Sequence, residues 1–171
     1  TSIQSAMAAL VARAEQLSRQ GSLIEPAGNN AAEVYLQVLA TDPKNPAATA
    51  GLSQVTVLVM AEAQDLLSQG DIQGAQYLLT LGENQRLDAI PLANMRERID
   101  SEITRRSQVA VALEQASVLF SQGYITAPKG QDAVSKLREV LLLDPGNELA
   151  QTRLTQCAER LATVAAEAQA F

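Results

Sequence analysis

The sequence predicts an all-α protein built from antiparallel helical hairpins, with about seven helices over 171 residues. Hydrophobic residues make up 47% of the chain but aromatic residues only 3%, and tryptophan is absent. Strand-favouring aromatic residues and threonine-rich alternation are therefore scarce, whereas alanine and leucine, which favour helices, are frequent. Apolar residues also recur with a helical period, and one stretch of the chain occurs twice.

The repeated stretch runs from Leu17 to Leu52 and recurs without a gap 102 residues later, from Leu119 to Leu154. The identical positions are concentrated at glycines, prolines and apolar residues. Each copy contains a Pro-x-Gly loop and, further on, an Asp-Pro-x-Asn sequence. Because these residue types determine turns and core contacts, the repetition predicts that the two loops share one backbone conformation.

Turn-forming residues divide the helical pattern into segments. Gly21 ends the first helix, because a glycine just past the last apolar position commonly terminates a helix. Asn45 can cap the third helix, with Pro46 at the first helical position, where its missing N–H costs nothing. Pro91 falls in the first turn of the long fifth helix. The predicted helices cover about residues 1–20, 31–40, 46–68, 72–81, 89–122, 133–143 and 148–171, with a polar link at 82–88.

A shorter pattern occurs three times: an alanine, a leucine three residues later, and a glycine four residues after that. A small alanine lets two helices approach closely, the leucine fills the space beside it, and the glycine turns the chain back. The pattern therefore predicts a buried alanine at each of three helix contacts. The three copies are Ala14–Leu17–Gly21, Ala63–Leu66–Gly70 and Ala116–Leu119–Gly123.

Together with the Gly70-Asp71 turn and the two Asp-Pro-x-Asn sequences, this pattern resembles the tetratricopeptide repeat family. The resemblance implies one repeat domain over residues 1–171, folded as a short α-solenoid. The Pro-x-Gly loops are five-residue insertions relative to the compact turn between Gly70 and Ala75, and the middle unit lacks the Asp-Pro ending. The implied units are about 7–45, 56–82 and 109–147, followed by a C-terminal helix at 148–171.

The two Pro-x-Gly loops are also similar to repeat modules of bacterial envelope proteins. This similarity implies a periplasmic or envelope location, with the cytoplasm as the alternative. The helical pattern is already present at Thr1, so we expect the chain to be part of a longer protein, from which a signal or anchor could have been separated.

Composition argues against several classes of function. The net charge of −6 gives no attraction to nucleic acid, and no apolar run is long enough to insert into a membrane. The chain has no histidine and one cysteine, so we expect neither an enzyme nor a site for a cofactor or metal. Cys157 follows Leu154 on an apolar helix face and is expected to be a small buried residue. In the long helix, Glu102 is expected to form surface pairs with Arg98 and Arg106.

The resemblance implies that the first helix of each unit lines an inner surface. Several of the residues placed there are apolar and few are charged, which would suit an apolar peptide or helix of a protein partner. The alternative is that the apolar members belong to the core. The candidate groove residues are Val11, Glu15, Arg19, Met60, Gln64, Leu67, Leu113, Ser117 and Phe120.

Two functions remain open from the sequence. The first is a non-enzymatic scaffold that binds a peptide or helix of a partner within a larger bacterial assembly. The second is structural self-association, in which the long helix 89–122 and the last helix pair with another copy to form a homo-oligomer.

Overall fold

The computed structural model describes residues 2–169. This range is all-helical, contains no β-strand and has seven helices, which confirms the predicted class and helix count. The predicted beginning of the first helix at Thr1 and the end of the last at 170–171 lie outside the described residues. The helices are α1 Ser2–Arg19, α2 Ala31–Thr41, α3 Pro46–Ser68, α4 Ile72–Asn84, α5 Ala89–Ser121, α6 Ala133–Leu143 and α7 Glu148–Gln169.

The chain divides into two compact units, Thr1–Asp100 and Ser101–Phe171, with the boundary inside helix α5. In the N-terminal unit α1 packs on α2, α2 on α3, and α3 on α4. Its core also includes Leu92, Met95 and Ile99 from the first half of α5. In the C-terminal unit α6 packs on α7. The other core residues come from the second half of α5 and from the loop between α5 and α6.

The two Pro-x-Gly loops have the same backbone conformation, as the repetition predicts. Gly21 and Gly123 both take positive φ angles, 81° and 84°, which a glycine adopts without steric cost. Each loop contains one cis peptide bond, before Pro26 or Pro128. In both copies two main-chain N–H groups at the start of the short helix donate to carbonyls at the start of the loop. These bonds are Ala31–Ser22 and Ala32–Leu23 in the first copy, and Ala133–Tyr124 and Val134–Ile125 in the second, all at 2.9 or 3.0 Å.

The same position caps the short helix in each copy. The Asn30 side chain accepts from the backbone N–H of Glu33 at 3.0 Å. Its counterpart Asp132 accepts from the N–H of Ser135 at 2.8 Å. Burial opposes the ionisation of Asp132, but hydrogen bonds from Ser135 and from the N–H of Gly130 outweigh it and lower the pKa of this carboxyl. A buried amide in the first copy and a buried carboxylate in the second thus cap the N-terminus of the same helix of the repeat.

The alanines of the threefold pattern are buried, as predicted. Ala14 and Ala63 have no exposed surface, and Ala116 is 2% exposed. One segment differs in part from the prediction, since the polar link expected at 82–88 is shortened to residues 85–88. Helix α4 continues to Asn84, and both Gly82 and Leu87 are buried. Gly82 has no side chain, and a β-carbon placed there would meet Leu92 at 3.0 Å and Leu87 at 3.3 Å, so both leucines pack closely at this position.

Helix α3 carries a glycine where a larger residue would meet an aromatic ring. A β-carbon added at Gly51 would overlap the ring of Tyr35, which is 3% exposed and held in the core. The 102-residue shift pairs Tyr35 with Leu137 and Gly51 with Arg153. The repeat therefore holds a large ring beside a glycine in one copy, and a smaller aliphatic side chain beside an arginine in the other.

We predict that Gly51→Ala destabilises the fold, although glycine to alanine inside a helix usually stabilises it by up to ~1 kcal/mol. Overpacking against the Tyr35 ring should lower the free energy of unfolding by ~1–3 kcal/mol, measured by urea denaturation. The control Gly146→Ala adds its methyl group in open space and should stay within ~0.5 kcal/mol of the wild type. Adding Tyr35→Leu should relieve the effect of Gly51→Ala. Equal stability of the two glycine variants would contradict the argument.

Candidate binding surface

Six of the nine candidate groove residues lie in the N-terminal unit. Val11, Met60 and Leu67 are half-buried and pack against its core. Glu15 and Arg19 are exposed on α1 and form an ion pair at 3.9 Å. The apolar members thus contribute to the core and also present part of their surface to solvent.

Val11 and Glu15 line an open cavity of about 450 Å³ between α1 and the start of α3. One wall of the cavity consists of side chains of α1, which include apolar residues as well as the carboxylate of Glu15. The opposite wall holds Asp42 and Asn45, whose side chains are hydrogen-bonded to each other at 3.3 Å. Asn45 is also the cap of α3, since it accepts from the N–H of Ala48 at 3.0 Å. The polar wall is therefore held in place by the helix cap.

Met60, Gln64 and Leu67 follow one another on a single face of α3, at the i, i+4, i+7 spacing of a helix. Within residues 2–169, the Oε1 atom of Gln64 is buried and accepts no hydrogen bond. A buried acceptor without a partner costs roughly 1–3 kcal/mol. This face therefore combines two apolar side chains with an unsatisfied acceptor.

Leu113, Ser117 and Phe120 lie in the C-terminal unit, on the second half of α5. Leu113 and Phe120 are half-buried and pack against the core of this unit. The Arg160 guanidinium from α7 lies over the ring of Phe120, 5.2 Å from its centre. Ser117 and Phe120 also line a cavity of about 160 Å³, together with Cys157 and other residues.

The 102-residue shift pairs Leu113 with Val11 and Ser117 with Glu15, but it pairs Phe120 with Ser18. Arg19 and Phe120 therefore do not occupy equivalent positions in the two copies. Sequence reasoning also missed Arg153, whose guanidinium donates to the carbonyl of Leu113 at 3.2 Å. The replacement of glycine by arginine at this repeat position was the available signal.

Glu102 is the most strongly perturbed carboxylate on α5. Arg105 and Arg106 both donate to it at 2.8 Å, and these bonds lower the pKa of Glu102 from 4.5 to about 2. The ion pair between Glu102 and Arg106 is confirmed. The second partner of Glu102 is Arg105, whereas the sequence predicted Arg98. Arg105 also donates to the carbonyl of Leu143 at 3.2 Å, so the cluster fixes the C-terminus of α6 against α5.

Two further observations concern other kinds of site. Among the described residues, no group of three His, Cys, Asp or Glu side chains is placed to hold a metal ion, and none of the helices is long and apolar enough to cross a membrane. Cys157 is buried, as predicted, and its burial raises the pKa of the thiol.

The chain matches no protein-family model, no curated protein and no solved structure. Its likeness to the tetratricopeptide repeat family therefore rests on the sequence patterns described above.

We predict that Glu102→Gln lowers stability near neutral pH and has little effect in acid. The pKa of this carboxyl is depressed in the folded state, so its stabilisation is present above the ordinary value of 4.5 and is lost as the pH falls toward about 2. We expect ~1 kcal/mol at neutral pH, because the pairs are partly exposed to solvent. Urea denaturation of both proteins at a series of pH values measures this difference. A difference that persists unchanged at about pH 2 would contradict the assignment.

Proposed function

We propose that this chain is a non-enzymatic protein-interaction module of tetratricopeptide-like helical hairpins, which binds a peptide or helix of a protein partner. One observation carries the proposal: in each unit, residues chosen from the repeat pattern line a cavity open to solvent. These are Val11 and Glu15 in the N-terminal unit, and Ser117 and Phe120 in the C-terminal unit. The likeness of the loops to repeat modules of envelope proteins favours a scaffold role in a bacterial envelope assembly.

The chemistry of these surfaces suits a partner segment that is mainly apolar. Met60 and Leu67 each keep part of their surface exposed, and the flexible methionine adapts to the shape of a partner. The buried oxygen of Gln64 lies between them on the helix and needs a donor. If the Gln64 amide turns so that this oxygen faces the surface, an N–H or O–H group of the bound segment would satisfy it, and that bond would add specificity to apolar packing.

Self-association is the second candidate function, and exposed residues of α5 favour it. Ile103, Val111 and Val118 are 39%, 52% and 44% exposed, and their spacing places them toward one side of the helix. Such a stripe is typical of a surface that another helix covers. Light scattering over a range of concentrations separates the candidates, because a monomer at all concentrations would exclude self-association as the main role.

The proposal is tested with a linear peptide selected against the wild-type chain from a displayed peptide library. We predict that Met60→Ala and Leu67→Ala each weaken a peptide that binds the N-terminal unit by ~1–2 kcal/mol, and that Phe120→Ala weakens one that binds the C-terminal unit by the same amount, measured by calorimetry. Arg98→Ala, which changes an exposed charge outside these surfaces, should leave the affinity nearly unchanged. Melting temperatures are recorded in parallel, because Phe→Ala in a core would cost ~3–5 kcal/mol of stability.

The variant Gln64→Leu distinguishes a binding groove from a packed core, because the two cases predict different effects on stability and on peptide affinity. Removing the unsatisfied acceptor should raise the melting temperature, whereas losing a hydrogen bond to the peptide should weaken binding. Opposite changes in stability and affinity support a groove. Lower melting temperatures for the three alanine variants, with affinity unchanged in the folded fraction, would contradict it.

A further inference from the structure

In the second copy of the repeat, an arginine side chain lies in the notch between the long helix and the C-terminus of the short helix. The Arg105 guanidinium donates to the carbonyl of Leu143 at 3.2 Å and lies 4.0 Å from the carboxylate of Asp144. Asp144 in turn accepts from the side chain of Asn147, the cap of α7, at 2.9 Å. The notch therefore holds a planar cation between a main-chain carbonyl and a carboxylate.

The first copy has the same turn without the arginine. Asp42 and Asn45 make the same side-chain hydrogen bond, and Asn45 caps α3 in the same way. The residue 102 positions before Arg105 is Ile3, which is 66% exposed and does not line the notch. Asp42 and Asn45 instead border the open cavity of about 450 Å³ in the N-terminal unit.

The charges of this cavity are complementary to a cation. Glu15 and Asp42 line it, and none of its lining residues within 2–169 is basic. The second copy has Ser117 in place of Glu15. The ion pair of Glu15 with Arg19 spans 3.9 Å between side chains that are 52% and 72% exposed, so it neutralises this carboxylate only weakly. The copy without the arginine thus has one more carboxylate at the notch.

The α1 wall of the cavity suits the aliphatic part of an arginine. Met7, Ala8 and Val11 line the cavity on the same helix as Glu15. An arginine packs its methylene groups along apolar surface and keeps its guanidinium at polar groups. Asp42 accepts two hydrogen bonds within its own turn, both at 3.3 Å. Because a carboxylate has about four acceptor sites, it can also accept from a guanidinium.

The second copy shows that a preceding stretch of chain leaves this face open. There the equivalent residues follow a long preceding segment, since α5 begins at Ala89, and several of them are still exposed. These exposed residues are Ala110, Glu114 and Leu149, the counterparts of Ala8, Ala12 and Ala47. The opening of the cavity is therefore a property of the repeat itself.

We propose that the cavity of the N-terminal unit binds the side chain of an arginine carried by the partner segment. The guanidinium pairs with Asp42 and Glu15, and the methylene groups pack on Val11. Since Val11 and Glu15 belong to the candidate groove, this assignment rests on the proposed function and names the residue that the partner places there. Lysine binds less tightly, because its ammonium lacks the planar fork of donors.

The first probe is N-acetyl-arginine amide, which carries a guanidinium and no carboxylate. We expect saturable shifts of the Asp42 and Asn45 amide signals when it is titrated into the full chain and followed by NMR. N-acetyl-citrulline amide has nearly the same shape without the charge and should bind about tenfold more weakly.

Variants locate the site of the arginine probe. Glu15→Gln and Asp42→Asn should each weaken its binding by about fivefold or more. Asp65→Asn makes the same change of charge at an exposed residue outside the cavity and should change the affinity by less than about twofold. Glu15 is exposed, so its variant should fold even if Asp42→Asn disturbs the turn.

Ile3→Arg supplies the arginine of the second copy from the chain itself. It should compete with the probe and weaken its binding by about fivefold or more. Equal binding of the arginine and citrulline probes would overturn the inference, as would wild-type affinity in the Glu15, Asp42 and Ile3 variants. Either result would leave the proposed function standing, because the apolar contacts of the groove do not depend on this charge.

The second probe is a peptide from the displayed library that binds the N-terminal unit. Replacing its arginine by citrulline should weaken binding to the wild-type chain by about tenfold, but binding to Ile3→Arg by less than about twofold. A peptide that binds through Met60 and Leu67 and lacks arginine, or tolerates citrulline, would overturn the inference while supporting the proposed function. If the chain selects no peptide, the proposed function itself is contradicted and the inference fails with it.

Discussion

The repeat depends on the main-chain hydrogen bonds that tie each short helix to the loop before it. The first N–H groups of a helix have no partner within the helix and must be satisfied elsewhere. In the first copy the N–H groups of Ala31 and Ala32 donate back to the start of the loop, and the Asn30 side chain accepts a third N–H. Because these bonds fix the start of the short helix beside the end of the long one, the two helices pack with a buried alanine between them.

This shared backbone supports side chains that differ between the copies. The cap is an amide in one copy and a buried carboxylate in the other, and the pair Tyr35–Gly51 is replaced by Leu137–Arg153. The largest difference lies after the repeat. In the N-terminal unit α4 packs along α3 and Val59 is fully buried, whereas its counterpart Leu161 in α7 is 37% exposed. The residues that the two copies share form the loop and the helix pair, and the residues that differ give each unit its own surface.

Most of the helices were predictable because their ends are marked by local chemistry. Gly21, Asn45 and Pro46 act on the backbone within a few residues, so their effects can be read from sequence. The segment 82–88 was misread because a glycine ends a helix in some contexts and makes room for a neighbour in others. At Gly82 the neighbours are Leu92 and Leu87, and their approach depends on packing rather than on local sequence.

The candidate surface was less predictable than the fold. A helical period identifies the side of Met60 and Leu67, but their half-burial depends on how closely other helices pack against α3. The contacts of Arg153 and Arg160 with α5 join residues about 40 positions apart along the chain, and no local pattern marks them. Long charged side chains have several possible partners, as the exchange of Arg98 for Arg105 beside Glu102 also shows.

The most direct measurement is amide hydrogen exchange at four equivalent positions, Ala31 and Ala32 in the first copy and Ala133 and Val134 in the second. Each N–H donates to a loop carbonyl in the same arrangement. We predict that all four exchange at least about a thousandfold more slowly than unstructured amides, which corresponds to ~4 kcal/mol for opening. The N–H of Gln73, at the start of α4 and outside both loops, serves as a reference. Rapid exchange at these positions in either copy would contradict the claim that one backbone network organises both.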